Sequence, residues 1–118
     1  MLKCRIFTLS ACLEIRKGDK LFLNTKRIEL LRQLRQGGSI QAAAMAMHIS
    51  YQLAWNYINE INSLSPVPIV VRKRGGADGG GAELTKYGAA LVGNFMRMQE
   101  MHHDYLQTLE STIDGCLL

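Results

Sequence analysis

The chain has 118 residues and a formal net charge of +4, and hydrophobic side chains make up 47% of it. This length favours one domain spanning residues 1–118, and this apolar content excludes a wholly disordered chain. Three cysteines without close pairs argue against a disulfide framework or a zinc site, and no apolar run approaches the roughly 20 residues that span a bilayer, so we expect a cytoplasmic protein.

The first predicted element is a strand at about residues 5–16, because apolar and polar side chains alternate along it. A lipoprotein-type signal before Cys12 is the alternative, but its apolar stretch is shorter than the roughly 7–15 residues that such signals need. Residues 17–19 are a turn signal, and residues 21–23 are a candidate return strand.

Three helices in the order of a helix-turn-helix follow. Asn24 or Thr25 is the candidate N-cap of the first helix. Gly37–Gly38 ends it, because glycine adopts the left-handed conformation without a Cβ clash. Ser39 caps a short helix rich in alanine, whose small side chains permit close helix packing, and Ser50 caps the third helix.

A basic strand, a glycine-rich loop and a second short strand form the predicted wing. Residues 69–71 read as the first strand, residues 75–81 carry almost no side chains, and residues 82–84 return as the second strand. Thr85 then caps a long helix that ends at about residue 112.

The fold class that this order predicts is mainly α with a small β wing. It is a winged helix-turn-helix with an N-terminal strand or hairpin and a long C-terminal dimerisation helix. Residues 24–84 carry the helix-turn-helix and the wing, and residues 85–114 carry the dimerisation helix.

Candidate DNA-binding residues lie on the third helix and the wing. The first residues of a recognition helix meet base edges, and Gln52 and Asn56 each have an amide that matches adenine. Basic wing residues neutralise phosphates, and glycine lets the backbone approach closely. The full set is Ser50, Tyr51, Gln52, Trp55, Asn56 and Asn59 on the third helix, Lys26 and Arg27 on the first, and Arg72, Lys73, Arg74, Gly75 and Gly76 in the wing.

Each of these assignments has a plainer alternative. Gln52 and Asn56 would suit an ordinary solvated helix face, and the basic wing would suit a charged edge strand that resists aggregation. Lys26 and Arg27 suit a solvated face equally well. Trp55 either contacts DNA or packs against the wing, and the sequence leaves both open.

Other kinds of site find little support. The glycine loop lacks the lysine of a Walker loop, because Gly81 is followed by Ala82. His102 and His103 point about 100° apart on a helix, so they do not form a ligand pair. We expect no enzyme activity, no cofactor, no metal and no small-molecule site in this chain.

Charge is unevenly distributed along the chain. Residues 1–40 hold nine basic and three acidic side chains, a net +6, whereas residues 89–118 hold one basic and four acidic side chains, a net −3. The intervening residues 41–88 are near neutral at +1. The basic side chains therefore concentrate in the predicted DNA-binding half and the acidic ones in the final helix, a distribution that suits a polyanionic partner.

The long helix carries an apolar seam with alternating spacings of four and three residues, as in a helix-pairing face. This seam could pack in the core of a monomer or form a dimer interface. Because a helix this long projects beyond a small domain and exposes its outer half, we expect a homodimer that binds a pseudo-palindromic DNA operator. The alternative is a winged-helix interaction subunit that pairs through this helix and binds no DNA; the basic wing favours the first. The seam residues are Leu91, Phe95, Met98, His102, Tyr105 and Leu109.

Four motifs stand out: Ser39-Ile40 before the alanine-rich helix, Ile49-Ser50-Tyr51 with Ala54-Trp55, Ile58 to Asn62, and the run from Gly75 to Gly88. In combination they resemble the N-terminal winged-helix DNA-binding domain of the ModE family of molybdate-responsive regulators, whose core plan is shared with LysR-type regulators. The resemblance covers about residues 24–100 and implies a homodimeric, sequence-specific transcription regulator, which we expect to be a repressor of the ModE type. The family's C-terminal oxyanion-binding module has no counterpart here, so we expect a short form or a fragment without its own molybdate site.

Overall fold

The computed structural model describes residues 7–73 and 81–117, and these fold into a winged helix-turn-helix preceded by a hairpin. This architecture confirms the predicted fold class. The described elements are β1 (Glu14–Lys17), β2 (Lys20–Asn24), α1 (Thr25–Gly37), α2 (Ile40–Ala46), α3 (Tyr51–Leu64), β3 (Val70–Lys73), β4 (Gly81–Leu84) and α4 (Lys86–Leu117).

The N-terminal hairpin is shorter than the sequence predicts. β1 pairs antiparallel with β2, and the register shifts between Ile15 and Arg16. The prediction of a strand from residue 5 is wrong for residues 7–13, which form no strand, because five-residue β2 offers a partner only to the end of the segment. Residues 7–13 instead lead past α4, where the Leu9 amide donates a 2.9 Å hydrogen bond to Glu110 Oε1.

The helix ends follow the predicted capping residues. Asn24, Ser39 and Ser50 each accept a hydrogen bond from the backbone amide three residues on, at 2.9, 3.0 and 3.0 Å. Gly38 adopts φ 73°, and its amide donates to the Leu34 carbonyl at the end of α1. Each cap satisfies a backbone group that the helix leaves unpaired, which confirms these predictions.

The core lies where α1, α2 and α3 meet the wing and the first turns of α4. α3 buries Ala54, Ile58 and Ile61, the inner face that the sequence predicts. In α4, Phe95 is fully buried in the same core. These contacts fix the opposite face of α3 on the outside of the domain.

The wing is a two-stranded antiparallel sheet fastened to the start of α4. β3 and β4 pair in register from Val70–Leu84 to Lys73–Gly81. Thr85 Oγ1 accepts from the Gly88 amide at 3.1 Å and donates to the Pro68 carbonyl at 2.7 Å, so it caps α4 as predicted.

α4 is longer than predicted, since it continues to Leu117 instead of about residue 112. Its 32 residues span about 48 Å at 1.5 Å each, and the chain measures 62 Å along its longest axis. The distal half of α4 therefore projects beyond the core.

Candidate nucleic-acid interface

The first two turns of α3 present a polar, exposed surface. Tyr51, Gln52 and Asn56 are all exposed, and the Gln52 Nε2 donates a 3.0 Å hydrogen bond to Asn56 Oδ1. This bond leaves the carbonyl oxygen of Gln52 and the amino group of Asn56 for an external partner. Together they offer one acceptor and one donor, which is the pair that an adenine edge requires.

The electrostatics of this helix end favour an anion. No acidic residue lies in the first turn of α3, so the positive end of the helix dipole is not neutralised there. Ser50 Oγ already accepts from the Leu53 amide, and its hydroxyl hydrogen can still be donated. Asn59 is also exposed, one turn beyond Trp55. The start of α3 can therefore accept an anion beside the exposed amides of Gln52 and Asn56.

Trp55 joins α3 to the wing. It is half-buried against the core, and its Nε1 donates a 2.8 Å hydrogen bond to Tyr51 Oη. The guanidinium carbon of Arg72 lies 4.4 Å from the centroid of the Trp55 ring. Of the two alternatives that the sequence leaves open, packing against the wing is the one that this geometry displays.

The two wing cations that the structure describes have different surroundings. Lys73 Nζ lies 3.8 Å from Glu83 Oε2 on β4, whereas Arg72 forms no ion pair with any residue of 7–73 or 81–117. Arg74, Gly75 and Gly76, the other predicted wing contacts, lie outside the described residues.

Arg27 needs a correction as a predicted phosphate contact. Its side chain is buried, its guanidinium donates to the Leu21 carbonyl at 2.8 Å, and it forms an ion pair with Glu60. Because its donors are used inside the domain, we remove Arg27 from the proposed interface. Lys26 remains exposed, with its ammonium 5.8 Å from the centroid of the Tyr57 ring.

Asn62 is a positioning residue that the sequence analysis did not single out. Its Oδ1 accepts from the amides of Ile69 and Val70 at 2.9 and 3.1 Å, and its Nδ2 donates to the Val70 carbonyl at 3.0 Å. It thereby fastens the start of β3 to the last turn of α3. An amide residue at a helix end just before a proline turn and a strand is the available sequence signal.

The predicted seam of α4 divides into two faces. Phe95 is fully buried in the chain's own core and Leu91 packs against that core, so Phe95 is unavailable to a partner and its assignment to the dimer seam is wrong. His102 and Leu109 are half-buried.

Only part of the predicted seam is exposed. Met98 and Tyr105 lie open, and Met101, which the prediction missed, is 65% exposed between them. Spacings of three and four residues place these three on one stripe of the helix.

The described part of the chain has neither a membrane-spanning helix nor a metal-binding cluster. No helix in residues 7–73 and 81–117 is long and apolar enough to cross a bilayer. The same ranges contain no group of three or more His, Cys, Asp or Glu side chains placed to hold a metal ion.

Comparison with known proteins identifies relatives of this domain. The transcriptional regulator ModE of Haemophilus influenzae is 36% identical over 108 residues, which are 89% of this chain and 42% of that protein. The DNA-binding transcriptional dual regulator ModE of Escherichia coli K12 is 45% identical over 80 residues, 68% of this chain and 30% of that protein. No family model matches the chain.

A solved structure, the multiple antibiotic resistance repressor MarR, superposes with a TM-score of 0.57 at 14% identity over 81% of this chain and 78% of its own, and shows the winged-helix fold alone. The chain spans less than half the length of these ModE relatives and matches their N-terminal winged-helix DNA-binding domain.

Proposed function

We propose that this chain, as a homologue of the N-terminal domain of ModE regulators, binds double-stranded DNA sequence-specifically and represses transcription. The observation that carries the proposal is the exposed start of α3, where Gln52 and Asn56 stand beside Tyr51 and the Arg72 cation. The relatives support it, because those proteins are named as transcriptional regulators and one as DNA-binding.

Base reading is the task of the α3 amides in this proposal. The start of α3 enters the major groove, and Gln52 and Asn56 exchange their mutual hydrogen bond for bonds to adenine edges. Each bidentate pair of this kind contributes about 1–3 kcal/mol of discrimination against a wrong base.

Phosphate contact comes from the groups around α3. Ser50 and Tyr51 donate from the helix start, Lys26 from α1, and Arg72 and Lys73 from β3. These contacts add affinity that is independent of sequence and sensitive to salt. Arg74, Gly75 and Gly76 remain proposed wing contacts on sequence grounds.

Pairing of two chains would present two such surfaces. The exposed stripe of Met98, Met101 and Tyr105 on projecting α4 suits a second copy of the same helix. A two-fold pair reads half-sites separated by one DNA turn, about 34–36 Å, or a multiple of it. The operator would then be pseudo-palindromic.

Selection of bound duplexes from a random DNA pool tests this function. We expect enrichment of a pseudo-palindromic motif, and we expect Q52A and N56A each to lose about 5- to 150-fold in preference at one position of each half-site. Q107A, an exposed amide of α4 far from α3, is the matched control and should select the wild-type motif.

Salt dependence separates this proposal from an interaction subunit with the same fold. A DNA-binding chain loses affinity steeply as salt rises, because phosphate contacts release counterions. Recovery of no motif together with a flat salt response would contradict DNA binding and support the interaction subunit.

A further inference from the structure

We propose that Trp55 is a positioning residue that holds Arg72 ready for a phosphate, so that the cationic contribution of the wing depends on α3. This inference rests on the proposed DNA binding. It assigns Trp55 a role through Arg72, and it ranks Arg72 above its neighbour Lys73.

The Trp55 ring is held on several sides. Its inner part packs against the core, and its Nε1–H is bonded to Tyr51 Oη, one turn earlier on α3. The Arg72 guanidinium lies at 4.4 Å from the ring centroid, within the roughly 6 Å over which a cation is attracted to an aromatic face. A fixed ring therefore gives Arg72 a preferred place.

The contact with Trp55 leaves the guanidinium able to bind an anion. An aromatic ring attracts the cation without a charge that would cancel it, and Arg72 forms no ion pair with any described residue. A carboxylate partner would have occupied the N–H donors of Arg72 and cancelled the charge. The aromatic contact thus orients Arg72 and keeps both its charge and its donors for a phosphate.

Strand alternation explains why Lys73 does not share the surroundings of Arg72. Successive side chains of a strand point to opposite faces, so Arg72 shares a face with buried Val70 and Lys73 takes the other face. Lys73 lies near the Glu83 carboxylate, which offsets part of its charge. The two adjacent cations therefore face different surroundings.

The direction of β3 along α3 supports the same arrangement. Asn62 fastens residues 69 and 70, and Trp55, two helical turns nearer the start of α3, contacts Arg72. β3 thus runs back toward the recognition end of α3. This path places Arg72 over Trp55, whose indole N–H is bonded to Tyr51 at the start of α3.

The contact itself can be tested without DNA. Trp55 is the single tryptophan of the chain, so intrinsic fluorescence reports on this position. We expect R72A to raise acrylamide quenching and to shift the emission maximum, because the ring loses its cover, and we expect K73A to match the wild type. Identical quenching of R72A and wild type would overturn the contact.

The role of Trp55 in binding is tested with a fluorescein-labelled random-sequence duplex over a series of salt concentrations. R72A should make the slope of log K against log salt shallower by about 0.9, the value of one phosphate contact. W55L should weaken binding about three- to fivefold and shift the slope in the same direction, whereas W55F, which keeps an aromatic face, should recover most of both.

The double variant decides whether the two residues act together. W55L/R72A should bind no more weakly than R72A, since Trp55 acts through Arg72. Additive losses, or a W55F as weak as W55L, would each overturn the proposal.

Failure of this inference is distinguishable from failure of the proposed function. A wild-type chain without salt-dependent binding would reject DNA binding and with it the phosphate role of Arg72. Wild-type binding with an unaltered W55L slope would reject the positioning role alone.

Discussion

Single residues in this chain show how position decides the use of a charge. Lys26 and Arg27 are adjacent and both basic, yet Lys26 is exposed and Arg27 is buried with its guanidinium bonded to the Leu21 carbonyl. A helix turns about 100° per residue, so neighbours on α1 face different surroundings. The basic residue type alone therefore does not show that both side chains contact phosphate.

Replacing Arg27 tests its structural role. R27A should destabilise the domain by about 2 kcal/mol, because it removes a buried guanidinium that donates to the part-buried Leu21 carbonyl oxygen of β2. Urea unfolding followed by circular dichroism measures the loss, and K26A is the exposed control, expected within about 0.5 kcal/mol of wild type. Equal stability of R27A and K26A would contradict the buried role.

Of the candidate site residues, the exposure of Gln52 and Asn56 was predictable from the sequence, and the contact of Trp55 was not. Exposure of Gln52 and Asn56 follows from helical spacing, since Ala54, Ile58 and Ile61 claim the inner face. The partner of Trp55 could not be read from the sequence, because it depends on β3 returning along α3.

At the scale of elements, the caps were predictable because each is a local hydrogen bond within three residues. The long strand over 5–16 was not, because a strand exists only where a partner strand reaches it. Alternation was a correct sign of burial for Leu13 and Ile15, which pack against the core, but it did not reveal the missing partner. The end of α4 was misjudged for a similar reason, since propensity sets a helix end only weakly.

The join between α4 and the wing carries a stability prediction on two glycines of one helix. A Cβ at Gly88 would lie 2.4 Å from the Ile69 carbonyl oxygen, whereas a Cβ at Gly93 would meet no atom within 4 Å. G88A should destabilise the domain by about 1–3 kcal/mol through overpacking.

G93A is the matched control for that change. It should be neutral or stabilising by up to about 1 kcal/mol, because alanine favours the helix. Thermal unfolding of both variants gives the comparison, and a G88A as stable as G93A would contradict the close approach of α4 to Ile69, the residue before β3.

At the scale of the whole molecule, α4 carries both core and surface. Its first turns complete the core through Val92 and Phe95, and its distal half extends the chain to 62 Å. The seam predicted from spacing therefore combines residues that pack in the core, such as Phe95, with exposed residues, such as Met98 and Tyr105. Heptad spacing identifies a buried face but does not say whether the same chain or another one buries it.

Dimerisation through the exposed stripe of Met98, Met101 and Tyr105 can be tested by introducing a charge into it. M101E should shift the chain from dimer to monomer in light scattering, because it places a carboxylate in an apolar contact. Q107E, on another face of α4, is the control and should leave the mass unchanged. A dimer that survives M101E would place the interface elsewhere.

The double fastening of β3 to α3 bears on the entropy of association. Asn62 and Trp55 hold the strand at two places, so its backbone and the Arg72 side chain are ordered before any ligand arrives. Ordering a long side chain during binding costs about 0.5–1.5 kcal/mol. If the chain binds DNA as proposed, this cost is met during folding, and we expect α3 and the base of the wing to contact the duplex as one rigid body.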